Sequence, residues 1–202
     1  MIRAVLFDAD GVVQSPSPGW RPALEALAPS PADAETLLAD IFAVEQLCTD
    51  GTEEFAAVLI PVLEKWQIDV PPEEVLDIWT MIEPCEPNLS VVADVRDRGI
   101  LTCLATNQQQ HRAAHIRQSL GYDRFFDHLC ISCELGAAKP SALYFERIAD
   151  MLSLSPSEMA FIDDHPRNVE SARAVGLRAE CYVLTEGSDA LMGVLDRLGV
   201  QA

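Results

Sequence analysis

Basic residues are scarce in this sequence, and their scarcity limits the partners that it can bind. Lysine and arginine number 14 against 32 aspartate and glutamate residues, so the formal net charge is −18. A surface this acidic repels nucleic-acid phosphates and anionic lipids, so we expect neither a nucleic acid nor a membrane as a partner. A small anionic substrate would need a local positive site, such as a metal ion, a lysine or a helix N-terminus.

Long apolar runs and paired cysteines are also missing. No run approaches the roughly 18 apolar residues of a membrane-spanning helix. Met1-Ile2-Arg3 leads straight into a strand, so we expect no secretory signal. The 6 cysteines are scattered, and Cys130 and Cys133 have no second pair of cysteines or histidines to complete a zinc site. This pattern favours reduced thiols and a cytoplasmic protein.

The segment with the clearest chemical signal is Val5-Leu6-Phe7-Asp8-Ala9-Asp10-Gly11. Its consecutive apolar residues predict a short strand that is covered on both faces. Asp8 and Asp10 follow at the carboxyl end, where open parallel α/β sheets bind ligands. A period of two directs both carboxylates to one side if the strand geometry continues, and Gly11 lets the chain turn at once. The alternative is an acidic turn that only ends a strand.

Residues 16–86 have a helical pattern and are predicted to form a small cap domain inserted after the first strand. The proline-rich and turn-rich segments Gln14–Gly19 and Ile82–Pro87 predict a linker on each side of it. Residues 1–15 and 87–202 would then form the core domain. The alternative is that these helices pack as part of the main core.

Strands and helices alternate through the rest of the chain. We expect further strands at 100–105, 126–132, 159–162 and 179–184, each followed by a helix. Alternation of this kind predicts an α/β fold, with a mostly parallel sheet and helices on both faces.

Residues able to do chemistry recur at the ends of these strands or just beyond them. They are Asp8, Asp10, Thr106, Asn107, Lys139, Asp163 and Asp164. Because the carboxyl ends of parallel strands share one edge, we expect these side chains to meet. Clustered carboxylates repel one another unless a cation joins them, and hard oxygen ligands suit Mg²⁺. A metal ion, a lysine, a hydroxyl and an amide together make a site for a phosphoryl group.

The whole chain resembles the haloacid dehalogenase superfamily of hydrolases, in the group with a helical cap inserted after the first strand. Counterparts of the family motifs occur in order as Phe7-Asp8-Ala9-Asp10-Gly11-Val12, Ala105-Thr106-Asn107, Lys139-Pro140, and Phe161-Ile162-Asp163-Asp164 with Asn168 downstream. The resemblance implies a Rossmann-like parallel core sheet of five main strands in the order 5-4-1-2-3. It also implies Mg²⁺-dependent hydrolysis of phosphate monoesters of a small metabolite through an aspartyl-phosphate intermediate.

The resemblance further implies catalytic roles for five of these residues. Asp8 would be the nucleophile, and Asp10 would be the general acid and then the general base. Thr106 and Asn107 would bind the phosphoryl oxygens. Lys139 would bind the same group, hold the nucleophile and offset negative charge.

The same resemblance implies a metal site. Asp8 and Asp164 would bind Mg²⁺ directly, Asp10 through its backbone carbonyl, and Asp163 directly or through water. Asn168 would be structural rather than a ligand.

Three other functions remain open from the sequence. A phosphomutase of the same family would need basic residues in the cap, but Lys65 is the only one between 30 and 87. A 2-haloacid dehalogenase releases halide, which takes no proton, and so has no need of Asp10. A catalytically inactive binding module would have no reason to keep clustered carboxylates, which cost stability. Both a monomer and a homodimer are compatible with the sequence.

Overall fold

A computed structural model describes residues 1–200 of the chain. Its strands, in chain order, are Ala4–Phe7 (β1), Gln14–Pro16 (β2), Ile82–Pro84 (β3), Leu101–Thr106 (β4), His128–Ile131 (β5), Met159–Asp163 (β6) and Arg178–Cys181 (β7). Its α-helices are Trp20–Glu25 (α1), Ala34–Gln46 (α2), Phe55–Lys65 (α3), Pro72–Trp79 (α4), Glu86–Asp97 (α5), Gln110–Gln118 (α6), Ser132–Leu135 (α7), Ala142–Leu152 (α8), Pro166–Val175 (α9) and Ser188–Leu198 (α10). Short 3₁₀ turns lie at Tyr122–Arg124, Pro156–Glu158 and Leu184–Glu186.

Strand β1 lies at the centre of a five-stranded parallel sheet. It pairs with β4 on one side and β6 on the other, while β5 and β7 form the edges. Every residue of β1 is buried, as its unbroken apolar run predicts. Across the sheet the order is β7-β6-β1-β4-β5. The neighbours are those predicted as 5-4-1-2-3, with different labels because β2 and β3 also receive numbers here.

Alternate residues of each strand point to opposite faces of the sheet, so the core has two layers of side chains. Val5 and Phe7 pack with apolar residues of α5, α6 and α10. Ala4 and Leu6 pack instead with apolar residues of α8 and α9. Helices therefore cover both faces, which confirms the predicted α/β fold.

Helices α1 to α4 follow β2 and pack around a hydrophobic cluster of their own. Trp79 lies at its centre and is 2% exposed. Its ring meets Phe55 edge to face, with the ring centroids 5.2 Å apart, and meets Trp20 and Phe42 at 6.3 and 6.0 Å. The region is helical, as predicted. Its assignment as a cap domain with bounds at 16 and 86 stays a prediction.

The chain passes into and out of this helical region through a small antiparallel sheet of β2 and β3. Gln14 lies opposite Pro84, and Pro16 lies opposite Ile82. The linkers predicted at Gln14–Gly19 and Ile82–Pro87 are therefore wrong in part, because each contains a strand. Strands of three residues are too short to show a recognisable alternation of apolar and polar residues. Proline is common in turns and is also tolerated in edge strands, so its presence does not distinguish the two.

Two predicted strands are longer than the observed ones. The strand expected at 126–132 is limited to His128–Ile131, and that expected at 179–184 ends at Cys181. Apolar residues continue beyond both ends, so composition alone does not mark where pairing stops.

No helix within residues 1–200 has the length and apolar character needed to cross a bilayer.

Candidate active site

Asp8 and Asp163 are adjacent at the carboxyl edge of the sheet because β1 and β6 are paired in register. Phe7 lies opposite Ile162, and the Asp8 N–H donates to the Ile162 carbonyl at 2.9 Å. Asp164 completes a group of three carboxylates, with one oxygen from each lying within 4.8 Å of the others. The fold thus brings together three of the four predicted metal ligands.

Lys139 lies between Asp8 and Asp163. Its Nζ is 2.8 Å from Asp8 Oδ1 and 2.6 Å from Asp163 Oδ2, and only 1% of its side chain is exposed. Burial opposes the charged form, but the two carboxylates outweigh it and raise the pKa of Lys139 above its usual value. Lys139 therefore keeps its positive charge where little water screens it.

The three carboxylates outnumber the single ammonium group. Burial raises the pKa of Asp8 well above its ordinary value; Lys139 opposes this shift, and the charges of Asp163 and Asp10 add to it. Burial and the charge of Asp163 also raise the pKa of Asp164. A second cation among these oxygens would relieve the repulsion, and an all-oxygen set of hard ligands fits Mg²⁺.

The Asp10 carboxylate is held by three donors from distant parts of the chain. Arg112 Nη2 lies 2.7 Å and Gln14 Nε2 lies 3.0 Å from Oδ1, while Gln108 Nε2 lies 2.9 Å from Oδ2. Gln14 and Gln108 are buried, and 14% of the Arg112 side chain is exposed. The orientation of Asp10 is therefore fixed by a charge-assisted pair and two amide hydrogen bonds.

None of the three donors to Asp10 is among the residues predicted from the sequence. Both Gln108, which precedes α6, and Arg112, in its first turn, follow the Thr106-Asn107 pair at the same edge of the sheet as Asp8. Their position could have identified them, because polar residues between a strand end and a helix start at this edge must either face the acidic cluster or cap the helix. Gln14 offered no comparable signal.

Thr106 ends β4 and Asn107 follows it, and the two side chains have different partners. Thr106 Oγ1 accepts a hydrogen bond from Gln108 Nε2 at 2.8 Å, so its own hydroxyl proton can point elsewhere. Both ends of the Asn107 amide bind the Lys139 backbone: Nδ2 donates to its carbonyl at 2.8 Å, and Oδ1 accepts from its N–H at 2.9 Å. Asn107 thus fixes the segment that carries Lys139.

Asp163 is held from a second direction by His165, which precedes α9, and by Asn168 within α9. Its Oδ1 accepts hydrogen bonds from the His165 N–H at 2.8 Å and from Asn168 Nδ2 at 3.0 Å. Asp163 is fully buried, whereas Asp164 is exposed. Of the two, Asp164 has the freer oxygens, and Asn168 has the supporting position that was expected of it.

Together, the fold and the site define an α/β protein with an acidic, lysine-containing centre at the carboxyl edge of its sheet. The family model of the haloacid dehalogenase-like hydrolases matches residues 2–176. The chain therefore belongs to the haloacid dehalogenase-like hydrolases.

Individual relatives are more distant. The chain is 30% identical over 95 residues to bifunctional epoxide hydrolase 2 of Rattus norvegicus, which covers 45% of this chain and 17% of that protein. It therefore spans less than a fifth of that relative's length. Over 206 residues it is 23% identical to the N-acetylmuramic acid 6-phosphate phosphatase of Pseudomonas aeruginosa, covering 95% of this chain and 88% of the relative.

Solved structures extend the likeness in fold. A magnesium complex of a HAD family enzyme from Bacteroides thetaiotaomicron superimposes with a TM-score of 0.79 at 18% identity. The superposition covers 95% of this chain and 98% of that one. At this level of identity the similarity establishes the shared fold alone and does not identify the reaction.

Proposed function

We propose that this chain is a Mg²⁺-dependent phosphatase that hydrolyses phosphate monoesters of a small metabolite through an aspartyl phosphate on Asp8. The observation that carries the proposal is the position of Lys139 between Asp8 and Asp163, with Asp10 two residues after the nucleophile. A phosphoryl group needs a nucleophile, a proton donor and positive charge at one place. This edge of the sheet has all three.

Asp8 is the nucleophile in this proposal. Its Oδ1 accepts a hydrogen bond from the Ala9 N–H at 2.7 Å and lies 2.8 Å from Lys139, so Oδ2 is the oxygen free to attack. The bond from Oδ2 to phosphorus forms while the bond from phosphorus to the ester oxygen breaks. The electron pair of that bond leaves with the alcohol. A covalent intermediate divides one difficult displacement into two easier ones.

Asp10 handles the proton in both steps. It gives a proton to the departing ester oxygen, and its carboxylate then takes one from the water that attacks the aspartyl phosphate. Inorganic phosphate leaves, and Asp8 is regenerated. This role requires a fixed orientation, which the contacts from Arg112, Gln14 and Gln108 supply. A dehalogenase would have no use for such a proton donor.

Thr106 and Lys139 are assigned to the phosphoryl oxygens. The Thr106 hydroxyl donates one hydrogen bond, and the Lys139 ammonium stabilises the negative charge that develops during transfer. For Asn107 the observed pairing with the Lys139 backbone favours a supporting role. The second Nδ2–H of Asn107 takes no part in that pairing, so it can still donate to a phosphoryl oxygen.

The metal would be held by Asp8, Asp164 and the Asp10 backbone carbonyl, with Asp163 bound directly or through water. Asp163 already accepts hydrogen bonds from Lys139 and Asn168, which favours the water-mediated arrangement. When bound, Mg²⁺ supplies positive charge to the phosphoryl oxygens and to the clustered carboxylates. The solved HAD family neighbour is a magnesium complex, which agrees with this choice of ion.

A small substrate agrees with the relative in Pseudomonas aeruginosa, which is named for N-acetylmuramic acid 6-phosphate and aligns over 95% of this chain. The helical region would serve as a cap that closes over the substrate and excludes bulk water. Its few basic residues disfavour a substrate with a second anionic group at that end.

The test is hydrolysis of p-nitrophenyl phosphate and a panel of phosphorylated metabolites, with Mg²⁺ or with EDTA. Phosphate release that needs Mg²⁺ and disappears in Asp8→Asn is expected. Asp94→Asn is the matched control, because Asp94 is exposed on α5 and distant in sequence from the motifs. Circular dichroism shows whether each variant folds.

Two results would overturn the proposal. Release that persists in EDTA or in Asp8→Asn excludes an aspartyl-phosphate mechanism on Asp8. Halide release from 2-haloacids, without turnover of any phosphate ester, assigns the chain to the dehalogenase reaction instead.

A further inference from the structure

A buried tyrosine lies two hydrogen bonds away from the Asp10 carboxylate. The Tyr122 hydroxyl donates to Gln14 Oε1 at 2.8 Å, and Gln14 Nε2 donates to Asp10 Oδ1 at 3.0 Å. Both Tyr122 and Gln14 are fully buried. A buried chain of hydrogen bonds is costly to leave incomplete, so its members hold one another in a single arrangement.

The direction of the Gln14 amide decides what Asp10 receives. Its NH₂ group faces a carboxylate, which only accepts, and its carbonyl faces the Tyr122 hydroxyl, which donates. With the amide turned over, Gln14 Oε1 would face Asp10, and a protonated Asp10 would donate its proton to Gln14 rather than to an ester. The Tyr122 hydroxyl opposes this because the turned amide would leave the hydroxyl proton buried without an acceptor.

Packing holds the Tyr122 ring in place. The residue begins a 3₁₀ turn after α6, and its carbonyl accepts from the Phe126 N–H at 2.9 Å. Its ring meets that of Phe126 edge to face, with the centroids 5.8 Å apart, and Phe126 meets Phe7 in the same way at 6.3 Å. Because Phe7 directly precedes Asp8, the hydroxyl is fixed relative to the strand end that carries the acidic cluster.

The charge of Asp10 acts on Tyr122 in return. Burial raises the pKa of the Tyr122 hydroxyl above its usual value, the negative charge of Asp10 raises it further, and Arg112 opposes the shift. The hydroxyl therefore keeps its proton and stays a donor to Gln14.

The two oxygens of Asp10 have different numbers of donors. Oδ1 receives Arg112 Nη2 at 2.7 Å as well as Gln14 Nε2 at 3.0 Å, so both of its lone pairs are used. Within residues 1–200, Oδ2 receives one donor, Gln108 Nε2 at 2.9 Å. A proton on Asp10 therefore belongs on Oδ2 as long as Gln14 keeps its donor on Oδ1.

We propose that Tyr122 is a positioning residue for proton transfer by Asp10. Its hydroxyl fixes the Gln14 amide, which keeps Oδ1 of Asp10 filled and leaves the proton on Oδ2. The O–H bond at Oδ2 breaks as an O–H bond to the departing ester oxygen forms, and Oδ2 then takes a proton from the attacking water. This inference rests on the proposed phosphatase function and adds a residue to its machinery.

The test is the dependence of kcat/KM on the leaving group in Tyr122→Phe, which removes one oxygen and leaves the packed ring in place. One buried hydrogen bond corresponds to roughly a fivefold change in an equilibrium constant. Phenolate needs a proton more than p-nitrophenolate does, so kcat/KM for phenyl phosphate should fall about fivefold further than kcat/KM for p-nitrophenyl phosphate.

Tyr144→Phe is the matched control. Tyr144 is also fully buried, and its hydroxyl donates to the Cys130 carbonyl at 2.6 Å rather than to a partner of Asp10. This variant should change kcat/KM for the two esters equally. Urea unfolding shows that both variants fold and measures the stability that each loses with its hydroxyl.

A double variant shows whether Tyr122 acts through Gln14. Gln14→Met removes the amide that links Tyr122 to Asp10, so adding Tyr122→Phe to it should leave the ratio of the two kcat/KM values unchanged. A further change in that ratio in the double variant would overturn the positioning role. So would a ratio in Tyr122→Phe equal to that of wild type.

A measurement without turnover separates this inference from the phosphatase function. The side-chain amide NMR signals of Gln14, assigned from their loss in Gln14→Met, should shift in Tyr122→Phe and in Asp10→Asn but not in Tyr144→Phe. That result supports the link from Tyr122 to Asp10 even if wild type hydrolyses no phosphate ester, which would overturn the phosphatase function alone. Signals that stay in place in Tyr122→Phe would overturn the positioning role, whatever the rates show.

Discussion

Arg112 Nη2 lies 2.7 Å from Asp10 Oδ1, although 102 residues separate them in the chain. The pair joins the first turn of α6 to the loop after β1, at the point where proton transfer is proposed. Only 14% of the Arg112 side chain and 36% of the Asp10 side chain are exposed, so the pair is partly shielded from solvent. If Asp10 transfers the proton as proposed, the pair affects catalysis as well as stability.

Replacement of Arg112 should affect poor leaving groups more than good ones. In Arg112→Met the Asp10 carboxylate loses its charged partner and its fixed direction, and misplacement of a catalytic group by about 1 Å can cost about 100-fold. In the proposed mechanism an alkyl phosphate needs the proton from Asp10, whereas p-nitrophenolate leaves almost unaided. We expect kcat/KM for an alkyl phosphate to fall about tenfold further than kcat/KM for p-nitrophenyl phosphate.

The matched control for this prediction is Arg117→Met, which removes an exposed arginine of the same helix that pairs with Glu134. It should change both values of kcat/KM equally and slightly. An equal loss for the two esters in Arg112→Met would show that Arg112 does not act through Asp10.

Removal of Lys139 should destabilise the fold in a pH-dependent way. Lys139→Met leaves Asp8 and Asp163 buried without their counter-charge, and breaking a buried ion pair typically costs about 3–5 kcal/mol. Burial already raises the pKa of Asp8, so the folded variant holds the Asp8 proton more tightly than the unfolded chain does. Its stability is then greatest at low pH and is lost as the pH rises through the raised pKa.

Urea unfolding in EDTA at pH 5 and pH 8 measures this effect, and the deficit relative to wild type should be larger at pH 8. Lys65→Met makes the same substitution at a surface pair with Asp40, where solvent screens the charges and the loss of stability should be much smaller. An equal loss of unfolding free energy in Lys139→Met and Lys65→Met, or a loss in Lys139→Met that does not change with pH, would contradict a buried ion pair at Lys139.

Glu45 should make the chain less stable as the pH rises through neutrality. Burial raises the pKa of Glu45 from 4.5 to about 7, against the opposing effects of Arg112 and Trp79. Stability gained by holding this proton is complete below pH 4.5 and is lost as the pH rises to about 7. Glu45→Gln should remove that loss, worth at most about 3.5 kcal/mol at roughly 1.4 kcal/mol per tenfold change in proton affinity.

The measurement is the free energy of unfolding of Glu45→Gln and of wild type from pH 4 to pH 8. The difference should be small at pH 4 and should favour the variant at pH 8. Glu73→Gln, an exposed glutamate on α4, should follow the wild-type curve. Parallel curves for Glu45→Gln and wild type would contradict the prediction.

Gly51 should tolerate no side chain, because it brings the loop before α3 against the core. Its φ is +81°, and an added Cβ would overlap the Cys133 backbone oxygen. The neighbouring contact is polar, with Gln110 Nε2 donating to the Gly51 carbonyl at 3.4 Å. Gly51→Ala therefore has two costs, about 1–2 kcal/mol for the left-handed backbone and a similar amount for overpacking.

Gly99→Ala separates the two costs. Gly99 has a φ of +79°, but nothing lies within 4 Å of an added Cβ. The urea midpoint should therefore fall further for Gly51→Ala than for Gly99→Ala. Equal midpoints would show that the loop can move away from Cys133 at no cost.

The sheet and the acidic cluster could be predicted from the sequence because each depends on a local pattern. The buried run Val5–Phe7 marks the central strand, and Asp8 follows it directly. Parallel pairing then fixes which strand ends become neighbours, so Asp163 meets Asp8. These inferences need only the alternation of elements and the geometry of parallel strands.

The partners of Asp10 could not be predicted in the same way. A glutamine or arginine has many possible acceptors, and nothing in its sequence position tells which one it reaches. Asn107 illustrates the same limit, since its residue type gave no sign that its amide would pair with the Lys139 backbone, and its phosphoryl contact stays a prediction. Side-chain pairings across distant segments depend on packing distances that a residue pattern does not encode.

Gln14 connects the two-stranded sheet to the Asp10 carboxylate. As the first residue of β2 it lies opposite Pro84, its Nε2 binds Asp10, and its Oε1 accepts from the Tyr122 hydroxyl at 2.8 Å. A rotation of α1–α4 about β2 and β3 would carry Gln14 along and draw on the Asp10 carboxylate. If Asp10 is the proton donor as proposed, opening of the helical region would therefore also displace that donor.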